Sequence, residues 1–166
     1  MTENEILFAL LRTQLQRVPV DDQILKNLSP EKLEKVCKLA DAHDLGHIVG
    51  QALSACKDLP QNETINRSKQ RAMQAVIRYM NQTRDLMGVC KTFEEAKIPH
   101  IPLKGSVLRD YYPEPWFRTS GDIDVLVHEE DLREAVELLK EQLGYTEHEQ
   151  NTHDISLFSP SGIHVE

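Results

Sequence analysis

The 166 residues predict an α+β fold, with a helical N-terminal half (1–95) packed on a small mixed β-sheet core (96–166). Three observations support this reading. Up to residue 95, apolar residues recur every three or four positions between helix-start and helix-stop signals. From Ala96 the repeat shortens to two, and β-branched residues cluster between prolines and glycines, the texture of short strands. A composition of 40% hydrophobic and 28% charged residues supplies a core for one domain, or for two small pieces.

Taken in order, Ile6, Leu7, Leu10, Leu11 and Leu15 place an apolar stripe on a helix over 5–15, closed by Pro19. Ser29-Pro30-Glu31-Lys32 is a helix start, with Ser29 as the cap and Pro30 at the first helical position. Leu33, Val36, Cys37 and Ala40 continue it, and a short helix follows over 45–55. Residues 65–93 contain no proline and keep Met73, Val76, Ile77, Met80, Met87, Cys90 and Phe93 at helical spacing. One long helix is expected there, softened at Gly88, with its methionines packed in the core as gap-fillers.

In the second half, residues 97–103 read as an edge-type strand that ends at Lys104-Gly105-Ser106. A short helix over 106–110 and a proline-bearing loop over 111–121 lead to a second strand, 122–127. In that loop Tyr111, Tyr112 and Trp116 are expected to serve as packing anchors. Glu129, Glu130 and Asp131 open a helix at the end that favours negative charge, and Gly144 closes it. Residues 145–149, 155–158 and 163–166 alternate like strands, with Ser159-Pro160-Ser161-Gly162 as the turn between the last two. The sequence stops inside this last strand, which reads as a truncated boundary or a very short strand.

A net charge of −8 disfavours an extended nucleic-acid surface, which needs clustered Lys and Arg. It leaves a nucleotide open, because a metal neutralises phosphate locally. Cys37, Cys56 and Cys90 are odd in number and form no CxxC pair, so a reducing, cytoplasmic setting is expected. Met1-Thr2-Glu3-Asn4-Glu5 is acidic where a signal peptide is basic, and the apolar run 6–11 is too short to span a bilayer. No membrane association is expected.

The residues that carry chemistry are Asp122 and Asp124, set in Asp122-Ile123-Asp124-Val125-Leu126-Val127. Alternation puts both carboxylates on one strand face, roughly 6–7 Å apart, with Ile123, Val125 and Val127 on the other. Two like charges side by side repel unless a cation sits between them. Hard oxygen ligands of this kind suit Mg²⁺. His43 and His47, four apart on one predicted helix, lack a third ligand and make a poor zinc site. No nucleophile elbow or triad order is present.

Leu103-Lys104-Gly105-Ser106, followed by Arg118-Thr119-Ser120-Gly121-Asp122-Ile123-Asp124-Val125-Leu126-Val127, resembles the signature of the DNA polymerase β-type nucleotidyltransferase superfamily. It is most similar to a group of uncharacterised bacterial nucleotidyltransferases, over roughly residues 98–166. Two features depart from the general superfamily pattern. Lys104 stands before Gly105 where an apolar residue is usual, and the spacer 107–121 exceeds the usual nine to thirteen or so.

The resemblance implies a Mg²⁺-dependent transfer of a nucleoside monophosphate from an NTP, ATP among the candidates, to an acceptor hydroxyl, releasing pyrophosphate. It implies two Mg²⁺ ions, with Mn²⁺ as an alternative, held by Asp122, Asp124 and a third acid from a neighbouring strand. Glu166 is the candidate, on the face of the last strand opposite Ile163 and Val165, and Asp154 is the runner-up. Glu166 would also help remove the acceptor proton, and His164 would brace the sheet or Glu166. Gly105, Ser106, Lys104 and Arg118 would bind the nucleotide: Gly105 lets the backbone approach, and the others offer a hydroxyl and positive charge. For Lys104 a plain surface role, and for Arg118 an ion pair with Asp110 or Glu114, are the bland readings. The acceptor is left open, a small molecule, sugar or protein being favoured over nucleic acid. Two alternatives stand beside the enzyme: a catalytically inactive nucleotide-binding or protein-interaction module with the same fold, and a helical interaction protein presenting an apolar stripe on the long helix.

Overall fold

The computed structural model describes the chain apart from residues 22, 23, 25–27, 57, 58, 60, 61 and 151–154. The described residues form two compact units: residues 1–77 with 112–117, and residues 78–111 with 118–166. The architecture is α+β, as its composition of helices and small sheets requires.

The first unit is helical. Helix α1 (Glu3–Leu15) starts three residues before the first apolar residue of its stripe, because Thr2 and Glu5 form a reciprocal capping box. Helix α2 (Pro30–Ala42) begins as its sequence predicts, with the Ser29 hydroxyl accepting from the Lys32 N–H. It ends at His43, and Asp44 follows in the left-handed region at φ 56°. His43 and His47 therefore do not share a helix: His47 lies in α3 (Gly46–Ser54), its Nε2 3.1 Å from the Phe117 carbonyl oxygen. Leu10, Leu33, Val36, Val49, Leu53 and Ile65 are wholly buried together, and Phe117 joins their cluster. Trp116 anchors the 112–117 segment by donating from Nε1 to Gln51 Oε1 at 2.7 Å.

Helix α4 (Glu63–Ala96) is the long proline-free helix. Its methionines are not core residues: Met73, Met80 and Met87 are 62%, 62% and 67% exposed. Periodicity defines stripes on a helix without saying which one faces inward. Ala72, Ala75, Val89 and Phe93 are buried instead.

The second unit carries two sheets. Strand β1 (His100–Pro102) pairs antiparallel with β3 (Val125–Val127), His100 opposite Val127 and Pro102 opposite Val125. The other sheet has the order β2-β6-β5-β4, formed by β2 (Asp122–Ile123), β6 (His164–Val165), β5 (Ile155–Phe158) and β4 (Thr146–Gln150). β2 runs parallel to β6, and the remaining pairs are antiparallel. The single strand expected over 122–127 is thus two strands that change partner at Asp124. Between them and β4, α6 (Leu132–Leu143) buries Ala135, Val136 and Leu139, and Gly144 closes it at φ 70°, a conformation glycine adopts at little cost. Ile123, Leu157, Ile163 and Val165 complete this core with Val89 and Phe93.

Asp85 ties α4 to the turn before β6. Its Oδ2 accepts from Ser159 Oγ at 2.7 Å and Ser161 Oγ at 2.5 Å, while Arg84 donates to Oδ1 at 2.9 Å. Burial pushes this carboxyl up, but the Ser161, Ser159 and Arg84 hydrogen bonds outweigh it and hold it below the usual aspartate range. Because the folded pKa lies below the unfolded one, the unfolded chain binds the extra proton. This contribution is present above the carboxylate range and lost as pH falls through it. Asp85→Asn is expected to flatten the fall in thermal midpoint over roughly pH 5 to 3. An acid limb identical to the parent's would show that the anchor contributes nothing.

Candidate active site

The β2–β6 ladder builds the site. Asp122 pairs with His164 and Ile123 with Val165 in parallel register. The Glu166 N–H donates to the Ile123 carbonyl at 2.9 Å, and the Val125 N–H donates to the Glu166 carbonyl at 2.8 Å. These two bonds extend the ladder one step and set Glu166 opposite Asp124. Opposed residues of neighbouring strands share a face, about 4.8 Å apart, while same-face residues along a strand lie about 6–7 Å apart. Asp122, Asp124, His164 and Glu166 thus occupy four corners of one patch. Ile123 and Val165, 0% and 3% exposed, turn to the opposite face.

Within the patch the polar groups divide. Asp122, His164 and Glu166 each offer a ligand atom, and these atoms all lie within 4.8 Å of one another. His164 Nδ1 is 3.6 Å from Glu166 Oε1, and its ring lies against Phe158 with centroids 5.0 Å apart. Asp124 is buried, and its Oδ1 accepts from Lys104 Nζ at 2.5 Å. The bond to Asp124 and then the charges of Asp124, Asp122 and Glu166 raise the Lys104 pKa, so one ammonium feels all three carboxylates.

Lys104 reaches this position because β1 ends beside Asp124. The Leu103 N–H donates to the Asp124 carbonyl at 2.9 Å, and Lys104 follows at φ 46°, ψ −118°. Few non-glycine residues take that conformation, and its cost is of order 1–3 kcal/mol. Gly105 then opens the four-residue helix α5 (Gly105–Leu108) with its Cα against Ser120. A Cβ there would lie 2.7 Å from Ser120 Cβ and 2.9 Å from its Oγ. Ser106 is buried, and its Oγ has no hydrogen-bond partner among the described residues.

Three further residues hold this framework. Gln82 Nε2 donates to the Ser120 carbonyl at 3.1 Å, and Arg78 donates to the Gly121 carbonyl at 3.3 Å, so α4 braces the turn entering β2. Arg109 lies beneath Gly105, donating from Nε to its carbonyl at 3.1 Å with the guanidinium 5.6 Å from the Tyr79 ring centroid. Burial lowers its pKa.

Of the residues singled out in the sequence, the patch brings together Asp122, Asp124 and Glu166, with Lys104 among them and Gly105 and Ser106 in the adjoining turn. Lys104 is exposed at the surface and pairs there with Asp124. Arg118 donates to the Thr119 carbonyl at 2.5 Å, and Glu114 is paired with Arg17 instead. Asp154 lies outside the described residues. Sequence reasoning assigns His164 a bracing role; the structure also sets it within 4.8 Å of ligand atoms of Asp122 and Glu166, as its place two residues before Glu166 on one strand face allows. For Gln82, Ser120 and Arg109 no local sequence signal exists, since their partners are distant in the chain or belong to backbone.

The residues present fit a divalent cation, because two carboxylates and an imidazole converge on a single small volume. They also fit a phosphate-bearing ligand, since an unpartnered buried hydroxyl and an ammonium flank a close-approach glycine. A glycine-led turn beside an Asp-x-Asp segment, with a further acid on the neighbouring strand, is the arrangement that the sequence resemblance to nucleotidyltransferases leads one to expect. The chain belongs to the uncharacterised nucleotidyltransferase family, whose model matches residues 29–166. Its general role is therefore nucleotidyl transfer, with a nucleotide as substrate. No curated protein and no solved structure matches it. No helix among the described residues is long and apolar enough to cross a membrane.

Proposed function

We propose that the chain is a divalent-metal-dependent nucleotidyltransferase that moves a nucleoside monophosphate from an NTP to an acceptor hydroxyl. The observation that carries this is the patch of Asp122, Asp124 and Glu166 on adjacent strands, with Lys104, Gly105 and Ser106 at its edge. In the reaction the acceptor oxygen bonds to the α-phosphorus, and the bond to the α–β bridging oxygen breaks. Pyrophosphate leaves with the electron pair, and the acceptor proton passes to Glu166. Asp122, Asp124 and Glu166 would hold two Mg²⁺ ions, or Mn²⁺, which supply positive charge to the entering and leaving oxygens. Gly105 admits the triphosphate close to the backbone, and the Ser106 hydroxyl bonds a phosphate oxygen. Lys104 turns from Asp124 to the phosphates, and Arg118 adds charge at the rim.

A net charge of −8 favours a small molecule, sugar or protein side chain over nucleic acid as acceptor. A reducing, cytoplasmic setting suits Cys37 and Cys90, which carry free thiols. Thermal shift with Mg²⁺ and each of ATP, CTP, GTP and UTP tests the site. The parent is expected to gain stability with at least one pair, and Asp122→Asn to lose most of that gain. Identical responses from the two proteins would sink the assignment. One observation favours a second reading, a nucleotide-binding module without turnover: Asp124 is already neutralised by Lys104. If that pair persists when nucleotide binds, no second cation reaches Asp124.

A further inference from the structure

We infer that His164 is a nitrogen ligand to the metal held by Asp122 and Glu166, and that this mixed donor set makes the site select Mn²⁺ over Mg²⁺. The inference rests on the proposed metal site and adds to it both a ligand and an ion preference. His164 is the register partner of Asp122 across the parallel ladder, and Glu166 follows it by two residues on the same face. Backbone hydrogen bonding, not side-chain flexibility, thus sets three donors side by side.

The distances suit a shared ion better than a direct bond. At 3.6 Å, His164 Nδ1 and Glu166 Oε1 are too far apart for a good hydrogen bond. Two ligands of one ion, each about 2.0–2.2 Å from it, lie about 3 to 4.4 Å apart. All three ligand atoms fall within 4.8 Å of one another, so small side-chain rotations close the set. Phe158 lies against the imidazole at a 30° tilt and limits its rotation, while partial exposure of His164 and Glu166 leaves an entry path.

Donor chemistry then chooses the ion. Mg²⁺ takes hard oxygen ligands and keeps much of its water. Imidazole suits Zn²⁺, Fe²⁺ and Ni²⁺ more than Mn²⁺, but Mn²⁺, which like Mg²⁺ takes carboxylates, accepts a nitrogen donor more readily than Mg²⁺, which keeps its water.

Mn²⁺ and Mg²⁺ affinities of the full chain, measured by calorimetry and Mn²⁺ paramagnetic resonance, test the inference, with pulsed resonance detecting ¹⁴N coupled to bound Mn²⁺. The parent is expected to bind Mn²⁺ at least about tenfold more tightly than Mg²⁺ and to show ¹⁴N coupling. His164→Gln is expected to lose the coupling and about tenfold in Mn²⁺ affinity, with Mg²⁺ affinity little changed. Its circular dichroism should match the parent's; if it does not, the parent's own ¹⁴N signal and ion preference decide. Absent coupling in the parent, or coupling that survives in a folded His164→Gln, overturns the His164 assignment alone, provided Asp122→Asn still abolishes Mn²⁺ binding. Unaltered Mn²⁺ binding in Asp122→Asn overturns the metal site itself and this inference with it.

Discussion

Asp124→Asn is expected to lower nucleotidyl transfer by on the order of 10²–10³-fold while the fold survives, because it removes negative charge from the patch at nearly constant volume. The rate of pyrophosphate release with the preferred NTP measures it, and turnover at the parental rate would remove Asp124 from the mechanism. The companion variant Lys104→Met separates an exchanging lysine from a permanent plug. Asp124 is buried and its carboxylate accepts from the Lys104 ammonium, so loss of that ammonium leaves a buried charge without its counter-ion. Metal-free Lys104→Met is therefore expected to melt below the parent, and saturating divalent ion to recover most of the difference. If Lys104 must leave Asp124 before catalysis, the variant also binds the ion more tightly but the triphosphate more weakly. A variant as stable as the parent without metal would show that the pair carries no weight.

Gly105→Val is expected to cost about 1–3 kcal/mol of stability and to abolish nucleotide-dependent stabilisation. The clash is with Ser120 Cβ and Oγ, next to the backbone and held in turn by Gln82. Neither side moves freely, so relief displaces either the Lys104–Gly105 turn or the approach to Asp122. Denaturant unfolding with and without NTP and Mg²⁺ checks both parts. Parental nucleotide response in a folded Gly105→Val protein would show that the turn does not approach the phosphates.

Much of the local structure was legible because it rests on short-range chemistry. Ser29 and Pro30 announce α2, Gly144 closes α6, and period-two alternation puts Ile163 and Val165 opposite His164 and Glu166. Other features were hidden. The methionine stripe of α4 follows helical spacing as well as the buried stripe does, and only the packing of Ala72 and Ala75 inward turns Met73 and Met80 outward. The break at Asp124 was hidden too, since an unbroken Asp122–Val127 pattern does not record a change of pairing partner.

By itself, then, the sequence determined that Asp122 and Asp124 stand two apart in an extended segment behind a glycine-led turn, with His164 and Glu166 two apart in another. Side-chain alternation along an extended chain is a local property, independent of what the strand meets. Tertiary structure alone decided that Asp122 faces His164, that Glu166 comes opposite Asp124, and that Lys104 reaches the Asp124 carboxylate. Those pairings depend on register between segments some 40 residues apart and on β1 ending beside β3, and hydrogen bonding between distant strands sets both.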